Sequence, residues 1–349
     1  MIANSKFKLF LPGLNNNQNN HNRLLVVDLG MPISKVGLFQ VVDGSILLQK
    51  EEEVQTKQYD NFVEMIRNFV TQNSISNIDR IIASVPGFVL HGKSITNNLN
   101  WVIDAQEIKE NFSVESVYLI NDLEAAAYGL AGITDEKLIT VFQPEVESSN
   151  GNMAVIAPGH GLGEAGLYYD GEFLRPFATE GGHCEFSPRT TIEVEFYQFL
   201  TDIYGIVTWE NVLSKKGLYN IFRFLRDVKR HPEPDWLQEY LNNGDFSQQL
   251  YNAATEREVA ICQITIETYV EFLAREANSL ALKLKTTGGL ILSGDMPLLL
   301  LKHKSWEGFY DKFKISDKME GLLKEIPIHI VNDTKISLYG AAYFGAFSE

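Results

Sequence analysis

Two stretches of the chain show the same order of apolar and polar positions. The first comprises residues 24–30 and 34–44, and the second comprises residues 153–159 and 165–171. In each stretch an apolar run leads through a glycine-containing loop to another apolar run, which ends in Asp-Gly. This order predicts a strand, a loop, a second strand and a hairpin turn. Because the pattern occurs twice, we expect two similar halves.

Strand-like and helix-like segments alternate after each predicted hairpin. Residues 61–70 have apolar side chains at helical spacing, and an apolar run at 81–85 follows them. In the second half, residues 191–204 and 259–284 have helical patterns, and the apolar run at 290–294 ends in a glycine. Such alternation is typical of a sheet covered by helices. The sequence therefore predicts an α/β protein of two domains with a cleft between them.

A carboxylate stands where a predicted strand meets a predicted helix. Residues 117–120 are apolar, Asn121 and Asp122 follow, and residues 123–130 have a helical pattern. Ligands of open α/β sheets bind beyond the carboxyl ends of the strands, so Asp122 is predicted to face a substrate. The alternative is that Asp122 is only the N-cap of the helix, a position that aspartate favours. The pattern alone leaves both interpretations open.

The segment 179–185 places a carboxylate and an imidazole three residues apart. Glu180 and His183 enclose two glycines, which let the backbone turn sharply and approach a ligand closely. Such a loop offers two hydrogen-bonding groups to a polyol. The alternative is an ordinary loop with a capping glutamate and a partly exposed histidine. A zinc site is disfavoured, because no second His or Cys follows at ligand spacing.

Charge and cysteine content limit the partners. The 349 residues carry a formal net charge of −15, which argues against nucleic acid or an anionic membrane as the main partner. A phosphate-bearing ligand would then be held by backbone N–H groups, helix N-termini or a divalent cation. Cys184 and Cys262 are too few for a disulfide framework, which favours a reducing, cytoplasmic setting. No apolar stretch approaches the roughly 20 residues of a bilayer span.

The N-terminal region differs in composition from the rest of the chain. Residues 15–22 form a polar run dominated by asparagine. Such low-complexity sequence buries too little apolar surface to order itself. We therefore expect residues 1–23 to be a flexible segment outside the fold.

Six motifs occur in the order seen in bacterial-type glucokinases, which the chain resembles from about residue 24 to its C-terminus. They are residues 28–30, 98–104, 119–130, 157–167, 180–183 and 288–294. Each motif alone is weak, but their agreement in order is specific. The resemblance implies the actin/hexokinase-like, or ribonuclease H-like, fold. It implies a small α/β domain of residues 24–132 plus 332–349 and a large α/β domain of residues 133–331, closing over ATP and sugar.

The resemblance also implies roles for individual residues. In that family the aspartate of the Asn-Asp pair takes the proton from the sugar 6-hydroxyl, so Asp122 would be the catalytic base. The implied sugar-binding residues are Asn98, Asn121, Asp122, Glu180, His183 and Glu210. The implied nucleotide-binding residues are Asp28, Gly30, Gly159, His160, Gly161, Gly163, Gly288, Gly289 and Gly294. Asp28 would hold Mg²⁺ through water, so the implied cofactors are ATP and Mg²⁺.

The phosphate side departs from the family pattern. Met31 and Pro32 stand where the first loop usually has Gly-Thr, and His160 replaces the threonine of the second loop. Lys215 and Asp295 replace glycines of two further motifs. We expect an ATP-dependent glucokinase that binds its nucleotide weakly. A non-catalytic sugar-binding or regulatory protein and a kinase for another hexose are the alternatives. The sequence leaves open the hexose, the phosphate donor and whether the chain forms a homodimer.

Overall fold

A computed structural model describes residues 6–15, 22–96, 99–145 and 150–348. Within them the strands are β1 Arg23–Asp28, β2 Ile33–Val42, β3 Ser45–Gln55, β4 Arg80–Val85, β5 Val89–Leu90, β6 Lys93–Thr96, β7 Trp101–Asp104, β8 Ser116–Asn121, β9 Leu138–Phe142, β10 Met153–Pro158, β11 Leu162–Tyr169, β12 Leu174–Ala178, β13 Gly289–Leu292 and β14 Ile328–Val331. The α-helices are α1 Phe62–Gln72, α2 Ala105–Phe112, α3 Asp122–Gly129, α4 Thr191–Tyr204, α5 Lys215–Arg223, α6 Leu237–Asn242, α7 Phe246–Thr255, α8 Ala260–Leu284, α9 Asp295–Leu300, α10 Phe309–Phe313, α11 Glu320–Leu323 and α12 Ile336–Phe347. The predicted strand and helix alternation is confirmed.

The chain divides into two compact units. Unit 1 contains the described parts of Met1–Leu138, together with Ala165–Ala178 and Asp333–Glu349. Unit 2 contains the described parts of Ile139–Glu164 and Thr179–Asn332. The division differs from the predicted domains chiefly in Ala165–Ala178, which contains most of β11 and all of β12 and is grouped with unit 1. Nothing in the sequence pattern gave a signal for this grouping.

Unit 1 is built on a five-stranded sheet in the order β3-β2-β1-β4-β8. Strands β1, β2 and β3 run antiparallel, whereas β4 and β8 lie parallel to β1. The predicted Asp-Gly hairpin turn joins β2 to β3, and Asp43 and Gly44 both have positive φ, of 45° and 69°. Two positive φ values are what a two-residue hairpin of this hand requires.

Because β1, β4 and β8 run parallel, their carboxyl ends lie at one edge of this sheet.

Unit 2 has its parallel strands in the order β10-β13-β14, followed by β9. Helix α8 packs within the main core, and most of its residues from Ile261 to Ala281 are buried. Phe272 of this helix packs against Phe186 and Phe196, and Phe186 in turn contacts Trp209. Because β10 and β13 run parallel, their carboxyl ends meet at one edge, where the glycine-containing loops begin.

The N-terminal segment is not outside the fold where the structure describes it. Phe7, Leu9 and Leu11 are buried, and the backbone of residues 8–10 forms two hydrogen bonds of 2.8 and 2.9 Å with Leu174 in unit 1. The prediction of flexibility is wrong for residues 6–14, because their alternate apolar side chains pack against a partner that is remote in sequence. Residues 16–21 lie outside the described residues.

Candidate functional site

Asn121 and Asp122 divide two tasks between them at the carboxyl end of β8. Asn121 is 5% exposed, and its Oδ1 accepts hydrogen bonds from the N–H groups of Leu123 and Glu124 at 2.9 and 3.1 Å. Its Nδ2 donates to the carbonyl of Gly87 at 3.0 Å. Asn121 is therefore the N-cap of α3, and the interpretation of Asp122 as the N-cap residue is wrong, although Asp122 Oδ1 also accepts from the N–H of Leu123 at 2.9 Å. Asp122 is the first helical residue and is only half-buried.

The loop after β1 directs much of its polar backbone inward. The N–H of Gly30 donates to Ser34 Oγ at 3.2 Å, and the Gly30 carbonyl accepts from Thr56 Oγ1 at 2.7 Å. A Cβ at Gly30 would lie 2.4 Å from the carbonyl oxygen of Ile33, so only glycine fits. Pro32 has no N–H to offer. This loop thus presents few backbone donors to a phosphate group.

Asp28 closes β1 beside that loop. Its Oδ1 accepts a hydrogen bond of 3.1 Å from Ser84 Oγ, and its register partner on β2 is Lys35. Burial raises the pKa of Asp28, while the Lys35 charge and the Ser84 hydrogen bond oppose that rise. The carboxylate keeps acceptor capacity for a hydrated cation.

In unit 2, the loop between β10 and β11 is fixed by a predicted sugar-binding residue. The N–H of Gly159 donates to Gly161 O at 2.8 Å, and Glu210 Oε2 accepts from the N–H of Leu162 at 3.0 Å. A Cβ at Gly161 would lie 2.4 Å from Glu210 Oε2, which explains this glycine. His160 is exposed at the tip. Glu210 therefore lies at the glycine loop.

The Glu180–His183 loop lies next to the start of β11. Residues Gly181–His183 form one 3-10 turn, and both Glu180 and His183 are exposed. A Cβ at Gly182 would come 2.1 Å from Leu162 O, and the N–H of Trp209 donates to Cys184 O at 3.0 Å. Unit 2 thus brings together the loop 159–163, the turn 180–183 and the turn that carries Glu210.

The three predicted glycines around β13 do not share one edge. Gly294 follows the strand with a φ of 86°, and a Cβ there would lie 2.8 Å from Pro158 O, beside the glycine loop. Gly288 and Gly289 lie at the amino end of β13, where the N–H of Gly288 donates to Asn152 O at 2.9 Å. The predicted nucleotide contact of Gly288 and Gly289 is thus not supported, since a parallel strand separates them from the loops at its carboxyl end. Their role is to start β13 next to β10.

Two departures from the family pattern meet beside Gly294. Lys215 Nζ lies 3.7 Å from Asp295 Oδ2 and 3.2 Å from Asp245 Oδ2. The backbone N–H of Lys215 donates to Gly159 O at 2.8 Å. These side chains line a cavity of about 630 Å³ together with Gln248, Tyr251 and Met296. A cavity of this size suits a small organic ligand.

Some predictions fall outside what the structure tests. Asn98 lies outside the described residues. Within the described ranges, no group of three or more His, Cys, Asp or Glu side chains has a metal-binding arrangement. Nor does any helix in those ranges combine the length and apolar character that a membrane span requires.

The fold is that of hexokinase-like sugar kinases. Glucokinase from Balamuthia mandrillaris in complex with glucose superposes with a TM-score of 0.77 at 19% identity, covering 94% of each chain. A ROK family glucokinase from Streptomyces griseus in complex with glucose and AMPPNP gives 0.61 at 16% identity, covering 92% of this chain and 98% of that one. These likenesses confirm the predicted fold.

The family follows from sequence comparison. The family model described as Glucokinase matches residues 25–347, so the chain belongs to the glucokinase family. A glucokinase of Trichormus variabilis is 29% identical over 338 residues, covering 93% of this chain and 98% of that protein. The predicted resemblance is thereby confirmed, and the protein is a sugar kinase by family.

Proposed function

We propose that this protein transfers the γ-phosphoryl group of ATP to the 6-hydroxyl of glucose, with Asp122 as the base. The observation that carries this proposal is the division of tasks at the end of β8. Asn121 Oδ1 already accepts from the N–H of Leu123, to which Asp122 Oδ1 also bonds, so capping of α3 does not by itself require a carboxylate at position 122. A half-buried carboxylate at the carboxyl end of a sheet strand is suited to meet a substrate hydroxyl.

The reaction is a direct displacement at phosphorus. The glucose O6–H proton moves to the Asp122 carboxylate as O6 forms a bond to the γ-phosphorus. The bond from that phosphorus to the bridging oxygen breaks, and its electron pair leaves with ADP. Such transfers depend on positioning and charge neutralisation more than on strong base catalysis. Asn121, the residue before Asp122, supports this role because its side chain forms three hydrogen bonds that hold the start of α3 in place.

Sugar recognition is assigned to the adjoining turns of unit 2. Glu180 and His183 are exposed on one turn, and Glu210 lies on the neighbouring one. Carboxylates and imidazole offer directional acceptors and donors to the hydroxyls of a neutral sugar. We expect Asn121 to act chiefly as a support, because its side chain is engaged with the backbone.

The nucleotide is assigned to the cavity beside Gly294 and to the glycine loop 159–163. The acceptor oxygens of Asp245 and Asp295 suit ribose or adenine donors, and Lys215 supplies a positive charge. For Mg²⁺, which usually takes one or two carboxylates plus phosphate oxygens, Asp28 fits as a ligand through water. The bound ion would neutralise phosphate charge. The low cysteine content favours a cytoplasmic location for this activity.

One observation favours a second candidate function, sugar binding without turnover. In the loop after β1 the Gly30 N–H is already engaged, and Pro32 has none. Removing a single donor to a transition-state oxygen lowers a rate about 10²–10³-fold. A protein with this loop could therefore bind glucose and turn it over slowly.

A paired measurement separates the two functions. Glucose binding is measured by calorimetry, and glucose 6-phosphate formation is measured with Mg-ATP in a coupled assay. We expect both binding and turnover. Binding without turnover would favour the second function, whereas no binding of glucose but binding of another hexose would reassign the substrate.

A further inference from the structure

Two glutamates face each other inside unit 2, beneath the predicted sugar loop. Glu164 is the third residue of β11 and is 2% exposed, and Glu276 lies in α8 and is 0% exposed. Their carboxyl groups are within hydrogen-bonding reach of one another. Apart from this contact, Glu164 Oε1 and both carboxyl oxygens of Glu276 have no hydrogen-bond partner among the described residues.

Two full negative charges are unfavourable in this place. Burial raises the pKa of Glu164 to about 7, and burial together with the neighbouring Glu164 carboxylate raises that of Glu276 to about 8. Among the described residues, the one other charge acting on the pair is Lys283, whose Nζ lies 3.7 Å from Glu276 Oε1 and is largely exposed. One negative charge is thus balanced, and a second is not. The favoured state has one proton between the two groups.

Glu164 is also in direct contact with the turn that carries Glu180 and His183. Thr179 Oγ1 donates to Glu164 O at 2.8 Å, and the N–H of Gly181 donates to Thr179 Oγ1 at 3.2 Å. A Cβ at Gly181 would lie only 1.9 Å from Glu164 Oε2, so the turn rests directly on this carboxyl group. Any shift of Glu164 must therefore move the turn.

We propose that Glu164 and Glu276 share one proton and that this shared proton positions residues 179–183 for sugar binding. The sugar-binding part of the proposal rests on the function proposed above. In this state the carboxylic acid of Glu276 donates to the carboxylate of Glu164. When the proton leaves, two buried like charges repel, β11 and α8 separate locally, and the turn loses its geometry. Both glutamates are positioning residues.

The sign of the pH dependence follows from proton binding. In the unfolded chain both groups have their ordinary, lower pKa, so the folded protein holds the extra proton at neutral pH. The stability that this proton provides is lost as the pH rises through about 7 to 8. Glucose affinity should fall over the same interval.

The test compares the wild type with Glu276→Gln between pH 6.5 and 9. The amide donates permanently to Glu164, as the protonated acid does, so it should keep the turn in place at every pH. The exposed Glu267 of the same helix provides the matched control, Glu267→Gln. Calorimetry with glucose and the thermal midpoint are measured for each protein. All three proteins keep His183 and Glu180, so differences between their pH profiles do not arise from these two side chains.

We expect the glucose Kd of the wild type and of Glu267→Gln to rise at least about fivefold across this range, while that of Glu276→Gln changes less than about twofold. The thermal midpoint of the wild type should fall by at least about 2 °C relative to Glu276→Gln. A flat wild-type Kd, or equal pH profiles of wild type and Glu276→Gln, would overturn the proposal.

Two further outcomes are also decisive. If Glu276→Gln does not fold, Glu164→Gln replaces it, and the wild-type profile alone still contradicts the proposal when it is flat. If the wild type binds no glucose at pH 6.5, the proposed function fails. The midpoint difference between variant and wild type then still decides whether the proton is shared.

Discussion

Two loops of unit 1 follow parallel-aligned strands of one sheet, yet they use their polar groups in opposite ways. After β8, Asn121 is the N-cap of α3, and the half-buried carboxylate of Asp122, which follows it, also accepts from the N–H of Leu123. After β1, the Gly30 N–H and carbonyl are bonded to the hydroxyls of Ser34 in β2 and of Thr56 just after β3, and Pro32 offers no donor. The turn after β8 thus places a carboxylate suited to a substrate hydroxyl at the strand end, whereas the loop after β1 uses the polar groups of Gly30 to hold its own shape. The comparison shows that the residues at a strand end, and not the strand end alone, decide what that edge of the sheet can offer a ligand.

The largest expected effect concerns the carboxylate of Asp122 after β8. Asp122→Asn keeps the size of the side chain and removes the base, so kcat should fall at least about 10²-fold. Glucose affinity by calorimetry should stay within about threefold. Asp104, which caps α2 on the surface, is the matched control, and Asp104→Asn should leave kcat unchanged. Full turnover in Asp122→Asn would remove Asp122 from catalysis.

The second effect concerns the sugar side. Glu180→Ala and His183→Ala should each weaken glucose binding by about 1–3 kcal/mol, because each leaves a sugar hydroxyl without its partner. Glu185→Ala changes an exposed carboxylate of the same segment and should leave the Kd unchanged. Wild-type affinity in both site variants would place the sugar elsewhere.

The third effect sharpens the contrast between the two loops. Combining Met31→Gly, Pro32→Thr and His160→Thr restores a donor and removes bulk on the phosphate side, so the KM for ATP should fall about tenfold. The kcat should rise in the same assay. If the unaltered protein already has a low KM for ATP and turns over at about 1–100 s⁻¹, the present loops are a working variant, and the sugar-binding alternative is wrong.

The smallest effect measures the supporting role of Asn121. Asn121→Ala should lower the free energy of unfolding by about 1–2 kcal/mol, because two capping bonds and the bond to Gly87 are lost. Asn61→Ala, which removes the single capping bond of α1, should cost less in the same urea titration. Equal losses would mean that neither the second capping bond nor the bond to Gly87 contributes measurably to stability.

Much of this site was predictable because its signals are local. An apolar run followed by Asn-Asp and a helical pattern predicted the end of β8 and the start of α3. The division of tasks between Asn121 and Asp122 was not predictable, since both residue types cap helices well. Likewise the sequence grouped Gly288 and Gly289 with Gly294, although β13 holds the pair at its opposite end.

The features that the sequence did not predict depend on partners distant in the chain. Glu164 and Glu276 lie on different elements, and their contact becomes visible only when β11 is placed against α8. The one available signal was a glutamate inside the apolar run after Gly163. Phe7, Leu9 and Leu11 alternate as in a strand, but their partner at Leu174 belongs to a distant hairpin.

Of the two cysteines in the chain, Cys184 is exposed and Cys262 is buried. A thiol-reactive fluorophore would therefore label the native protein one residue after His183 without prior mutagenesis. Its emission would follow sugar occupancy in real time and would give association rates independently of any coupled enzyme.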